Sequence, residues 1–188
     1  MTIILLHIIS SDTSNVINMN WMFKGSTKFN GNLSAWDTSN VETMTGTFSG
    51  AKAFQGNGIS NWDISKVNST SFMFQDAQSF NEDISTWNMT SVTNANYMMM
   101  FAQSFNQNLC KWGITNKDGE NTFPYFAADS IFFQSGCTHT STPQWDTQGP
   151  FCGDVCPILR ASSSATSLSS SMVVLSSLIM ISLGFYVL

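Results

Sequence analysis

The chain is dominated by one unit that occurs four times in series: Asp12–Trp36, Asp37–Trp62, Asp63–Trp87 and Asn88–Trp112. Each copy has 25 residues except the second, which has 26. A fixed period of this length is the mark of a solenoid, and it constrains the fold before any single element is assigned. The register holds at every apolar position. Val16, Val41, Val67 and Val92 are followed seven residues later by Phe23, Phe48, Phe74 and Met99. Six residues further stand Phe29, Phe54, Phe80 and Phe105. Leu33, Ile59, Ile84 and Leu109 come next, and a Trp follows three residues on at Trp36, Trp62, Trp87 and Trp112. The extra residue of the second copy falls in Gln55–Gly58, where Gly56 and Gly58 mark a turn able to absorb it.

Two local patterns recur inside the unit. Val41, Met44 and Phe48 lie at i, i+3 and i+7, which predicts one face of a helical or 3₁₀ turn, and Val16, Met19 and Phe23 repeat the pattern. The residues before them, Asp37-Thr38-Ser39-Asn40, are turn and helix-start formers. Asn32–Trp36 reads as a short extended piece that would stack coil on coil as a parallel ladder. The expected fold class is a repeat solenoid of α/β, leucine-rich-repeat-like type, with low regular secondary-structure content. A single copy has too few apolar side chains to offset the entropy of ordering its backbone, so the copies must stack and the ends need caps.

The unit Trp36-Asp37-Thr38-Ser39-Asn40-Val41, with Met44, Phe48, Ala51 and Phe54, resembles the 25-residue repeat of the BspA-like leucine-rich-repeat surface proteins. The third copy carries the same signature in Phe74, Ala77, Phe80-Asn81, Ile84-Ser85 and Trp87. The likeness spans Asp12 to Trp112 and implies a secreted or surface-attached protein, with adhesion as the expected role. The pattern is broken at Thr70 and Ala95, where the second Met of the unit is missing, and at Met98-Met99-Met100 in place of a Phe. These losses predict a looser last coil.

Regular polar positions carry a second set of expectations. Asp12, Asp37, Asp63 and Asn88 form one column, and Asn30, Gln55, Asn81 and Asn106 another. A carboxylate column could hold Ca²⁺, but such a site needs several convergent oxygens per ion, and one Asp per coil predicts turn capping instead. No metal or cofactor is expected. The net charge of −5, with seven scattered basic residues, excludes a phosphate-binding surface and hence nucleic acid as a partner. The two histidines, His7 and His139, are remote from one another in sequence, and no catalytic constellation can be assembled, so the chain is read as a non-enzyme.

The flanks define the remaining segments. Residues 1–11, with the apolar run Ile3–Ile9, are read as a signal or as an N-terminal capping strand. Residues 113–157 leave the repeat and form a C-terminal cap, similar to the closing segment of algal relatives of the surface-protein repeats. Cys110, Cys137, Cys152 and Cys156 predict two disulfides in an oxidising compartment; Cys110–Cys137 with Cys152–Cys156 is the expected pairing, and the other two connectivities stay open. Zinc is disfavoured because no CxxC pair is present. Asn32, Asn68 and Asn88 fit the N-glycosylation acceptor pattern. Residues 158–171 are a Ser-rich linker, and residues 172–188 an apolar tail. That layout is expected of a glycolipid (GPI) anchor signal, with Ala161, Ser162, Ser163 and Ser164 as attachment candidates, or of a retained membrane span. The predicted protein is thus displayed on the outer face of the cell membrane. Adhesion or recognition of an extracellular protein or glycan is its first expected role. A structural coat or wall-associated role is the second, and a hydrolase a distant third.

Overall fold

The computed structural model describes residues 12–112, 114–115, 121–122, 127–138, 140 and 152. The chain winds so that each copy of the unit lies on the next. Isolated parallel bridges run Asn18 to Thr43, Thr43 to Ser69, Ser69 to Asn94, and Asn94 to Ala127. Regular elements are sparse among the described residues: one 3₁₀ turn at Cys110–Trp112, and an antiparallel pair, β1 (Ile114–Thr115) with β2 (Asn121–Thr122).

The backbone between the Met44 and Ala51 positions explains why neither helix nor strand forms there. Met44 O accepts from Thr47 N at 3.3 Å, Gly46 O from Ser49 N at 3.0 Å, and Phe48 O from Ala51 N at 2.9 Å. These are overlapping three-residue-step turns. Two of them need a positive φ at their third residue, Gly46 (φ 61°) and Gly50 (φ 72°). A left-handed residue every fourth position breaks a helix. The i, i+3, i+7 spacing read from the sequence is therefore that of a turn ribbon.

The turns consume alternate carbonyls and amides. The remaining N–H groups, of Met44, Gly46, Phe48 and Gly50, all point forward to Ser69, Ser71, Met73 and Gln75 carbonyls at 2.7–3.0 Å. The other copies repeat this, down to Ala95, Tyr97, Met99 and Phe101, which bond to Ala127, Asp129, Ile131 and Phe133. Every backbone group along the ribbon is thus satisfied either within its coil or by a neighbouring one.

Those last partners reveal a fifth, partial coil at 127–135, inside the segment expected to be only a cap. Ser130 and Gln134 take the positive φ of the Gly46 and Gly50 places, and Ile131 and Phe132 are fully buried. The extended piece expected at Asn32–Trp36 is also placed differently. Leu33 N bonds Asn57 O, and Trp36 N turns back to Leu33 O at 3.1 Å, so this corner is a turn and the parallel contacts lie at the Asn18 column.

The core is a set of aromatic columns. Phe23, Phe48 and Phe74 stack with centroids 5.3 and 5.6 Å apart and planes within 3°. Phe29, Phe54, Phe80 and Phe105 form a second column, and within each of the first three coils the two Phe rings stack at 3.8–4.2 Å. The Trp column closes the slice. Trp62, Trp87 and Trp112 each donate Nε1–H to the carbonyl of Leu33, Ile59 or Ile84 in the preceding coil. Each Trp therefore buries its ring and still satisfies its donor.

The last coil is not loosened as expected. Where Thr70 and Ala95 replace Met, Met73 and Met98 enter the same layer from three residues on and are fully buried. Thr47 holds that later place in the second coil, its hydroxyl donating to Met44 O at 2.8 Å. Large and small side chains have exchanged places between the two columns.

Candidate functional site on the outer face

Asp and Asn residues at the start of each unit build its leading turn. Oδ1 of Asp12, Asp37, Asp63 and Asn88 accepts the amide two residues on, of Ser14, Ser39, Ser65 and Thr90, at 2.9–3.1 Å. Asp83 does the same with Ser85. The Ser14 amide and hydroxyl hold the Asp12 carboxyl below its usual range, as those of Ser85 do for Asp83. The Ser39 and Ser65 hydroxyls and amides do the same for Asp37 and Asp63. This column is occupied by turn hydrogen bonds. Among the described residues no group of three His, Cys, Asp or Glu is arranged to hold a metal.

The outer surface beside the turn ribbon has a different character. Trp21, Gly46, Phe72 and Tyr97 occupy one column, all with φ between 57° and 61°. A side chain is strained in this conformation, which suits Gly46 and costs the three aromatics about 1–2 kcal/mol each. Gly46 is needed for a second reason. A Cβ there would fall 1.9 Å from the Trp21 ring, which lies across it. By crossing Gly46, Trp21 reaches Phe72 with centroids 6.2 Å apart, and Phe72 stacks on Tyr97 at 5.0 Å. Lys24 Nζ sits 4.5 Å over the Trp21 ring, a cation–π contact. Trp21 stays 41% exposed.

Next to this row runs a shallow open groove of roughly 520 Å³, floored by Gly25 and Gly50. Lys24, Ser49, Gln75, Asp76 and Phe101 complete its lining. Asp76 pairs with Lys52 at 3.3 Å and accepts from Gln78 Nε2 at 2.9 Å. Ser49 and Gln75 are 3.4 Å apart, a long contact that leaves capacity for a ligand. Phe101 meets Phe133 edge to face at 5.9 Å, and Phe133 is 45% exposed. The groove thus offers aromatic edges at its ends and hydrogen-bonding groups of both charges between them.

The residues singled out in the sequence fall as follows. Asn32, Asn68 and Asn88 are all exposed. Asn32 Oδ1 accepts the Ser34 amide, and Asn88 Oδ1 the Thr90 amide and hydroxyl. The disulfide pairing needs correction. Cys137 bonds Cys152, with Cα atoms 4.8 Å apart, so neither Cys110–Cys137 nor Cys152–Cys156 is formed. The cause is the fifth coil. Gly136 N bonds Ala102 O, which sets Cys137 on the stack, and Cys152 Sγ lies 3.9 Å from Phe105 O in the same layer. Cys110 is also disulfide-bonded. Cys156, Ala161, Ser162, Ser163 and Ser164, the leader 1–11 and the tail 172–188 lie outside the described residues. Among the described residues no helix is long and apolar enough to cross a membrane. Phe72 and Phe101 were missed in the sequence because each sits where a copy elsewhere has Gly; that substitution is the signal that could have found them.

A family model described as "Mycoplasma protein of unknown function, DUF285" matches residues 5–112 and 38–135. No curated protein and no solved structure matches.

Proposed function

The chain belongs to that family of Mycoplasma proteins of unknown function, and we propose that it is a non-enzymatic surface solenoid of leucine-rich-repeat-like type. Its outer face recognises an extracellular protein or glycan. The observation that carries this reading is the strained aromatic row. Trp21, Phe72 and Tyr97 hold a backbone conformation that glycine would adopt freely, and they hold it at the surface. Packing alone gives no reason to keep them, since the Phe and Trp columns already fill the core. The adjoining groove supplies polar groups, and aromatic rings with convergent polar groups are the usual make-up of recognition surfaces. The repeat's resemblance to BspA-like surface proteins supports the same reading, as does the disulfide, which suits an oxidising compartment. The apolar tail 172–188 would tether this face to the membrane as a GPI signal or span.

The test is binding of the intact chain, displayed on cells, to immobilised matrix proteins and to a panel of glycans. Saturable binding that drops at least tenfold in Trp21→Ala and Tyr97→Ala, with unchanged surface display, supports recognition through this face. Binding untouched by both changes would refute it. Concentration-dependent side-by-side packing without any ligand would favour the coat role.

A further inference from the structure

The turn ribbon has a polarity. In the ladder between the first two coils, the N–H of Met19, Trp21, Phe23 and Gly25 donates and the carbonyl of Thr43, Thr45, Thr47 and Ser49 accepts. The same sense holds at every later junction. Each coil therefore presents carbonyls on its leading edge and amides on its forward edge. On the first coil the leading edge is made by the carbonyls of Asn18, Asn20, Met22 and Lys24. Among the described residues no amide reaches them.

The side chains on that edge are apolar and open. Ile17 is 56% exposed and Met22 44%. In the three following coils the residues at the Met22 place, Thr47, Met73 and Met98, are fully buried. Met22 thus belongs to a coil-to-coil interface and lacks its covering coil.

The chemistry of the edge restricts what can cover it. An ordinary strand edge offers N–H and C=O groups in alternation, so it would leave carbonyl facing carbonyl at part of the contact. Two leading edges facing each other fail for the same reason. A row of carbonyls is matched by a row of amides, which is the forward edge of a coil of this type. The aligned peptide dipoles add to this, placing partial negative charge on the leading edge and partial positive charge on the forward edge.

We infer that the leading edge of the first coil docks the forward edge of the last coil of a second copy of this chain, continuing the interface that the repeats make inside one molecule. This contact is independent of the outer face proposed above for ligand recognition. It joins different surfaces of the two copies, so it does not close and grows by further additions.

The test is sedimentation of the full chain in mild detergent, up to on the order of 100 μM, where micromolar contacts are populated. The wild type is expected to grow beyond a dimer as concentration rises. Ile17→Lys with Met22→Lys, which places two charges on the edge, should shift growth to at least tenfold higher concentration. Its thermal midpoint should stay unchanged, because both side chains are exposed in the single molecule. A wild type that remains monomeric at the top concentration overturns the inference. So does a double variant that associates as the wild type does, or association that stops at a closed dimer.

Discussion

Three glycines share one backbone strain and differ in their surroundings, which makes them a graded test of the stacked coils. Gly25, Gly46 and Gly58 have φ of 68°, 61° and 86°. Alanine at any of them must adopt a left-handed backbone, at about 1–2 kcal/mol, partly offset by the lower entropy of the unfolded chain. At Gly25 nothing lies within 4 Å of the new Cβ, so Gly25→Ala should cost only that, about 1 kcal/mol net. At Gly46 the Cβ would fall 1.9 Å from the Trp21 ring. The ring is part-exposed and can swing away, losing its contact with Phe72 for a further ~0.5–1.5 kcal/mol. At Gly58 the obstacle is backbone, the Ser34 amide nitrogen of the preceding coil at 2.5 Å, with Asn32 Oδ1 at 2.6 Å. Neither can rotate aside, so the two coils must separate locally and Gly58→Ala should cost more than about 3 kcal/mol. Urea unfolding of the three variants gives the order Gly25, Gly46, Gly58. In a Trp21→Ala background the Gly46→Ala cost should fall to that of Gly25→Ala. Equal costs at Gly25 and Gly58 would refute the claim that the second coil presses backbone to backbone on the first.

Three further outcomes follow from single groups. Thr70 Oγ1 is buried without a hydrogen-bond partner, so Thr70→Val should stabilise the chain by about 1 kcal/mol in urea melts. A loss would mean the hydroxyl is satisfied. Asp12, Asp37, Asp63 and Asp83 have folded-state pKa values below their unfolded ones, so their contribution is full above about pH 4 and is lost as pH falls through the lowered values. Asp63→Asn should keep the turn, as Asn88 does, and flatten the acid limb of a stability-against-pH curve; an unchanged limb would contradict the assignment. Cys137→Ser with Cys152→Ser opens a link across 15 residues and should cost about 3 kcal/mol, read as a lowered urea midpoint. No change on removing it would show that the fifth coil holds without the link.

The stacked columns were legible because each is a fixed spacing of one residue type: Phe48, Phe54 and Trp62 are 5% exposed or less, and their counterparts follow. The backbone that carries them was not. Apolar residues at i, i+3 and i+7 look alike on a helix and on a ribbon of turns, and only the recurring glycines Gly25, Gly46 and Gly50 hint at positive φ. That hint fades in the third and fourth copies, where Asp76, Phe72, Tyr97 and Phe101 take the same backbone. The fifth coil was hidden by the residues inserted after Trp112, which break the phase. Its trace is Trp145, thirteen residues beyond Phe132, the spacing of Phe23 and Trp36. The outer row was half visible: Trp21 and Tyr97 stand out as off-core aromatics, but their junction through Gly46 depends on a ring crossing a coil, which no spacing encodes. The Cys137–Cys152 bond was beyond reach, since it depends on where the fifth coil ends.

Residue-resolved amide hydrogen exchange tests the central claim, that each coil donates a row of amides to the next. Slow exchange is expected at Met44, Gly46, Phe48 and Gly50, and again at Thr70, Phe72, Phe74 and Asp76, while exposed turn amides such as Asn40 and Lys66 exchange fast. Protection that recurs with the repeat at these alternate positions is the predicted result. Protection running through consecutive residues, as in a helix, or absent from Gly46 and Phe72, would contradict it.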